Sequence, residues 1–123
     1  MEFKNNCDTF KKLIMNNNFK NKLTFTGVIT IGDFFAISIY KAVNELGLSI
    51  PDDFSVVGYD NIEIASALYP PLTTVHQSRK AIGENAVRIL LHNINNKEKR
   101  IIEKSILSPY LVIRKSVKRL ADF

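Results

Sequence analysis

Two aspartates follow the ends of two apolar segments that are typical of parallel β-strands. Asp33 comes one residue after the run Phe25–Ile31, and Asp60 directly follows Phe54–Tyr59. Ligands of open α/β sheets bind in the crevice beyond the carboxyl ends of the strands. A carboxylate there accepts hydrogen bonds from hydroxyl or ring N–H groups, which favours a polar small molecule. The alternatives are that Asp33 only caps the following helix and that Asp60 is an ordinary turn residue.

Catalytic chemistry has little support in the chain. Phosphate-binding loops, His-Glu-x-x-His and a complete nucleophile elbow are absent, and Pro51 stands where an elbow around Ser49 would need glycine. His76 and His92 are 16 positions apart in different predicted elements, which is no recognisable metal-ligand spacing. The single Cys7 excludes an intramolecular disulfide and a cysteine-based zinc site. We therefore expect no enzyme activity, no metal and no cofactor.

The elements that must position the two aspartates alternate between strand and helix patterns. Phe25–Ile31 is apolar and β-branched, which predicts a strand buried on both faces. Apolar residues then recur at helical spacing from Asp33, which is expected to cap this helix, to Gly47, which is expected to end it. Ser49–Asp53 predicts a turn before the second strand, Phe54–Tyr59. This βαβ unit indicates an α/β fold with a doubly wound parallel sheet flanked by helices.

Further elements are predicted on either side of this unit. A short helix is expected over Asp8–Met15, and Pro70–His76 has the pattern of an extended connector. A longer amphipathic helix is expected over Arg79–Asn93. Arg100–Leu107 and Tyr110–Ile113 then have the patterns of two strands.

Composition and charge limit the classes of function. The 123 residues are 46% hydrophobic and 24% charged, which is ordinary globular composition. We expect a cytoplasmic protein, because neither a membrane segment nor a secretory signal is visible. The net charge of +5 comes mainly from a basic segment, residues 97–119, with a smaller positive contribution from residues 1–27, whereas residues 28–96 are acidic. Because its charges alternate with apolar residues, this basic segment is better explained by solvated strand faces than by a nucleic-acid surface.

Several ordered motifs extend over residues 8–117. They are Val28–Asp33, Ala42–Asp53, Ser55–Asn61, Pro70–Gln77, Ile82-Gly83 and Leu111–Ser116. With these motifs the chain resembles the effector-binding domain of LacI/GalR-type bacterial transcription regulators. The resemblance implies a periplasmic-binding-protein-like I fold with two α/β lobes, of which this chain matches mostly the C-terminal lobe. It does not extend to the N-terminal helix-turn-helix of that family.

The resemblance also implies how the chain is divided. Residues 1–69 correspond to the C-terminal lobe and residues 70–77 to a connector that crosses between the lobes. Residues 78–96 correspond to a helix of the other lobe, and residues 97–123 to returning strands and a tail. The chain is therefore expected to be part of an effector-binding domain.

Individual positions inherit roles from the same resemblance. Asp60 corresponds to the aspartate that contacts the effector. Sugar-responsive members have a pocket asparagine at the position of Gly32, whereas purine-repressor-like sequences have glycine there, as this chain does. The neighbouring Asp33 is retained. The implied effector is a sugar or a nucleobase-like molecule. Ile37, Tyr40 and Leu68 lie on the expected dimer face, with a place in the intramolecular core as the alternative.

The function implied by the resemblance is effector binding and dimerisation in a LacI-type transcriptional repressor. Effector binding between the lobes would change how paired DNA-binding domains sit on operator DNA. Operator DNA is expected to contact only the N-terminal helix-turn-helix, which this chain lacks. Two alternatives are a sugar-binding protein of a transport system and a ligand-free dimerisation module.

Overall fold

The computed structural model describes residues 2–16, 18–19, 22–23, 25–98 and 101–119, which contain four helices and six strands. The helices are α1 (Glu2–Asn16), α2 (Asp33–Glu45), α3 (Ile64–Ala67) and α4 (Arg79–Asn95). The strands are β1 (Asn18–Phe19), β2 (Lys22–Leu23), β3 (Gly27–Ile29), β4 (Ser55–Asp60), β5 (Thr73–His76) and β6 (Tyr110–Val112). The predicted α/β fold class is confirmed.

Four of the strands form the main sheet, in the order β3-β4-β5-β6. β4 pairs in parallel with both β3 and β5, so the carboxyl ends of these three strands lie at one edge of the sheet. At this edge Asp60 of β4 is opposite His76 of β5. The short strands β1 and β2 form a separate antiparallel pair.

The described residues divide into two compact units. The first, which we call the sheet unit, contains the described residues up to His76 and those from Leu111 onward. The second, which we call the helix unit, is Gln77–Tyr110 and contains α4. In the helix unit the Asn93 side chain holds the segment after α4, because it both donates to and accepts from the backbone of Ile101.

The core of the sheet unit lies between the sheet and the helices α1 and α2. Phe54, just before β4, is fully buried, and the rings of Phe10 and Phe25 contact it edge-on with centroids 5.6 Å away. Val56 and Leu72 are fully buried beside it. Burying each large apolar side chain contributes roughly 1.5–3 kcal/mol. This packing holds α1 and α2 against the sheet.

Several element predictions are confirmed with small shifts of their ends. The helix from Asp33, the strand that ends near Tyr59 and the long helix from Arg79 are all present. Gly47 has a φ of 71°, as expected of a glycine that ends a helix in the left-handed conformation. The first helix begins at Glu2, earlier than predicted.

Two predictions about strands were wrong, and a third was incomplete. The strand within Phe25–Ile31 is not buried on both faces: β3 is an edge strand of the described sheet, and Ile29 and Ile31 are 75% and 81% exposed. The connector Pro70–His76 is extended, but its last four residues pair as β5. Ile101–Leu107 forms no strand, and Arg100 lies outside the described residues. An apolar run indicates an extended strand but does not reveal whether another layer covers it.

Gly58 in β4 allows the Asp33 carboxylate to lie against the sheet. A Cβ atom at position 58 would overlap Asp33 Oδ1 and would lie 2.8 Å from Leu72 Cδ2. Because overpacking costs about 1–3 kcal/mol, we expect Gly58→Ala to lower the free energy of unfolding by at least that amount in denaturant titrations. The matched control is Gly83→Ala in α4, where a Cβ meets nothing within 4 Å and alanine is the better helix former. Equal stabilities of the two variants would contradict this packing.

Candidate functional site

The structure brings Asp60 and Gly32 together at the carboxyl ends of the strands. Asp60 ends β4, and Gly32 lies just beyond β3. A Cβ atom built on Gly32 would lie 3.4 Å from Asp60 Oδ2, which is close van der Waals contact. The absence of a side chain at Gly32 therefore leaves space beside the Asp60 carboxylate.

Asp33 lies close to this edge but is turned inward. Its side chain is only 1% exposed. Oδ2 accepts a hydrogen bond from the Ile62 amide at 2.8 Å, and Oδ1 accepts one from the Thr74 hydroxyl at 2.6 Å. These bonds satisfy a carboxylate that would be costly to bury without partners. Asp33 thus connects α2 to β5 and to the segment after β4.

The prediction that Asp33 caps α2 was wrong. The N-cap residue is Gly32, with no side-chain capping bond, and Asp33 is the first residue of the helix. Its carboxylate is engaged by Ile62 and Thr74 instead of the amides of its own first turn. An acidic residue in this turn still has a favourable interaction with the positive end of the helix dipole.

Asn61 and Arg114 complete the edge, and neither was predicted. The backbone amide of Asn61 donates to the Thr74 hydroxyl at 3.3 Å. The Arg114 guanidinium donates to Asn61 Oδ1 and to the Leu72 carbonyl, each at 2.7 Å. Asn61 Nδ2 lies 3.1 Å from His76 Nδ1. The signals in the sequence were the Asp-Asn pair at a strand end, a type of pair that favours turns, and the place of the two residues in the motifs Ser55–Asn61 and Leu111–Ser116.

The backbone at this strand end has an unusual conformation. Asp60 has a φ of 102° and Asn61 a φ of 51°. Positive φ is uncommon outside glycine, although aspartate and asparagine tolerate it better than other residues. The hydrogen bonds of Asn61 to Thr74 and Arg114 hold the turn that carries the Asp60 carboxylate.

The residues predicted for a dimer face lie elsewhere in the sheet unit. Ile37 and Tyr40 of α2 line a groove of about 630 Å³ together with Tyr69 and Pro70. The Tyr40 hydroxyl donates to the Pro70 carbonyl at 2.8 Å, and burial raises the pKa of Tyr40 to about 12. Tyr40 and Leu68 also pack against the hydrophobic core, which is the alternative role stated for them.

Groups that could hold a metal ion and helices that could cross a membrane are both absent from the part of the chain that the structure describes. There, no group of three or more His, Cys, Asp or Glu side chains is placed to hold a metal ion. No described helix has the length and apolar character needed to cross a membrane. Cys7 is a buried free cysteine, and burial is the main cause that raises the pKa of its thiol.

Comparison with known proteins identifies the family. Residues 8–117 match the family described as periplasmic binding protein-like domain. The chain belongs to this family. The match begins within α1, includes the helix unit and ends at Val117.

Relatives of this periplasmic binding protein-like domain are transcription regulators. It is 45% identical over 97 residues to the HTH-type transcriptional repressor PurR of Vibrio vulnificus, covering 77% of this chain and 28% of that protein. The PurR repressor of Mannheimia succiniciproducens is 45% identical over 96 residues, covering 78% of this chain and 28% of its own. The chain thus spans little more than a quarter of the length of these relatives. Its resemblance to LacI-type regulators is confirmed.

Solved structures support the same relationship. A LacI family transcriptional regulator from Enterococcus faecium with bound ribose is 30% identical, with a TM-score of 0.78, over 90% of this chain and 39% of the other. The Lac repressor bound to ONPG in the repressed state is 29% identical, with a TM-score of 0.74, over 90% and 32%.

Replacement of Asp33 should destabilise the fold. In Asp33→Ala the part-buried Ile62 amide and the buried Thr74 hydroxyl lose their acceptor, and an unsatisfied buried polar group costs about 1–3 kcal/mol. We expect denaturant unfolding to show a loss of at least that size. The control Asp52→Ala removes an exposed carboxylate paired with Lys118 and should cost less than about 1 kcal/mol. Similar losses for the two variants would show that Asp33 does not anchor this edge.

Proposed function

We propose that this domain is the effector-binding and dimerisation portion of a LacI-type transcriptional repressor, with a regulatory rather than an enzymatic role. The observation that carries the proposal is the Asp60 carboxylate, held at the carboxyl ends of parallel strands beside the open position at Gly32. The repressor names of the sequence relatives support the same role. Such a regulator acts in the bacterial cytoplasm.

The proposed effector is a polar small molecule, either a sugar or a nucleobase-like compound. The Asp60 carboxylate would accept hydrogen bonds from its hydroxyl or ring N–H groups. A regulator with a similar fold holds ribose, which supports a sugar. Gly32 offers no side-chain amide and leaves space at Asp60, which supports a flat ring. Asp33 contributes indirectly, since both of its oxygens are occupied by Ile62 and Thr74.

The proposed division of the chain follows the two-lobed family arrangement. Residues 1–69 belong to the C-terminal lobe, 70–77 cross between lobes, 78–96 form a helix of the other lobe, and 97–123 return. The separate compactness of Gln77–Tyr110 supports a division of this kind. Contact with operator DNA is proposed for an N-terminal helix-turn-helix outside this chain.

Loss of the Asp60 carboxylate should weaken effector binding. We expect Asp60→Ala to reduce affinity by about 1–3 kcal/mol, because a charge-assisted hydrogen bond is removed. The measurement is calorimetric titration of the longest polypeptide that the gene encodes, with ribose, hypoxanthine and guanine as probes. The control is Asp52→Ala, which changes an exposed residue near the start of β4, at the end of the strand opposite Asp60. Unchanged affinity of Asp60→Ala for the probe that binds the parent protein would refute the assignment.

A homodimer is proposed to form through the face that carries Ile37 and Tyr40 of α2 and Leu68, which follows α3. The groove at Ile37 and Tyr40 and the 95% exposure of Tyr69 beside it support this face. Ile37→Glu should therefore weaken the dimer at least tenfold in sedimentation equilibrium, since it places a charge in an apolar interface. Met15→Glu alters an exposed apolar residue of α1 and should leave the dissociation constant of the dimer unchanged. An unaltered dimer in Ile37→Glu would exclude this face.

A further inference from the structure

The side chain of Asn61 contacts both places where the chain passes between the two units. The chain leaves the sheet unit after His76 and returns to it at Leu111. Asn61 Nδ2 lies 3.1 Å from His76 Nδ1, and Asn61 Oδ1 accepts from Arg114 Nη2 at 2.7 Å. The side-chain amide of Asn61 therefore holds His76, the last residue before the chain leaves the sheet unit, and Arg114, which follows the point where it comes back.

The direction of these bonds follows from Arg114. A guanidinium has only donors, so the atom that faces it must be the amide oxygen of Asn61. The Asn61 NH2 group is then turned toward His76 and donates to Nδ1. In this arrangement Nδ1 of His76 carries no proton, and the neutral imidazole has its proton on Nε2.

The returning segment is firmly attached to the sheet at this point. The Arg114 amide donates to Thr73 Oγ1 at 2.9 Å, and the Lys115 amide donates to the Pro71 carbonyl at 3.0 Å. The fully buried Ser116 hydroxyl accepts from the Thr73 amide at 2.8 Å and donates to the Val56 carbonyl. A shift of Asn61 would therefore pull on segments that are fixed to β4 and β5.

We propose that Asn61 is a positioning residue that couples the Asp60 carboxylate to the two crossing segments. Asp60 and Asn61 are adjacent and share one turn of positive φ, so movement of Asp60 toward or away from a ligand is transmitted to Asn61. The side-chain amide of Asn61 passes this movement to His76 and Arg114. The ligand-dependent part of this coupling depends on the proposed effector site at Asp60.

Glycine at position 61 separates this role from a purely conformational one. Glycine adopts positive φ without strain, so Asn61→Gly preserves the turn and removes both side-chain bonds. Asn61→Asp also tolerates this φ, and its carboxylate retains an acceptor for Arg114 while losing the donor to His76. If Asn61 served only the backbone conformation, both variants would behave like the parent protein.

The ligand-free test uses NMR of the 123-residue chain. In Asn61→Gly we expect amide exchange at Arg114 and Lys115 to rise about tenfold, as loss of a charge-assisted bond predicts. We also expect the His76 ¹⁵N shifts to depart from those of the Nε2–H tautomer. Asn61→Asp should change only the His76 signals, and Asn6→Ala on α1 should change neither.

Parent-like exchange and parent-like His76 shifts in Asn61→Gly would overturn the proposal. If Asn61→Gly fails to fold, parent-like His76 shifts in Asn61→Asp would overturn it.

The ligand-dependent test uses whichever of ribose, hypoxanthine or guanine binds the longest gene product. At saturation the parent protein should show slower amide exchange at Gln77 and Arg114, whereas Asn61→Gly should bind the probe without this change. Equal protection in the two proteins would overturn the coupling. If none of the probes binds, the proposed effector site loses support, and the ligand-free result still decides whether Asn61 holds the crossing segments.

Discussion

The buried carboxylate of Asp33 is the interaction on which the arrangement of the strand ends depends. A charge at 1% exposure requires hydrogen-bond partners, and its two partners come from different parts of the sheet unit: the Ile62 amide after β4 and the Thr74 hydroxyl in β5. Gly58 makes this possible, since any side chain there would occupy the space of the carboxylate. The start of α2 is thereby fixed both to β5 and to the segment after β4.

The candidate ligand site is built outward from this anchor. The Thr74 hydroxyl donates to Asp33 and also accepts from the backbone amide of Asn61, so β5 holds the turn after β4. Arg114 holds the same turn from the returning segment. Between these supports the Asp60 backbone keeps its positive φ, and its carboxylate lies beside Gly32. A rigid turn presents a carboxylate to a ligand with less entropy to lose on binding.

Local patterns in the sequence were enough to predict the βαβ unit around this site. The change from a β-branched run to helical spacing after Gly32 and the glycine at position 47 are short-range signals, and both were interpreted correctly. The juxtaposition of Asp60 with the end of β3 followed from the parallel order of the strands. The LacI-type resemblance added the family, which the comparisons confirm.

Features that depend on distant residues were not predictable from such patterns. Arg114 and Asn61 are 53 positions apart, and no periodicity relates them. The inward direction of Asp33 depends on Thr74, which was placed in a connector and not in a strand. The exposure of Ile29 and Ile31 depends on what covers the edge strand, and an apolar run does not encode this.

The most direct test of the central claim is a double-mutant cycle between Asp33 and Thr74, measured as free energies of unfolding for the parent chain, Asp33→Ala, Thr74→Val and the double variant. If the buried carboxylate and the hydroxyl stabilise the strand ends as a pair, the coupling free energy should be about 1–3 kcal/mol. Losses that simply add would contradict the anchoring role of Asp33.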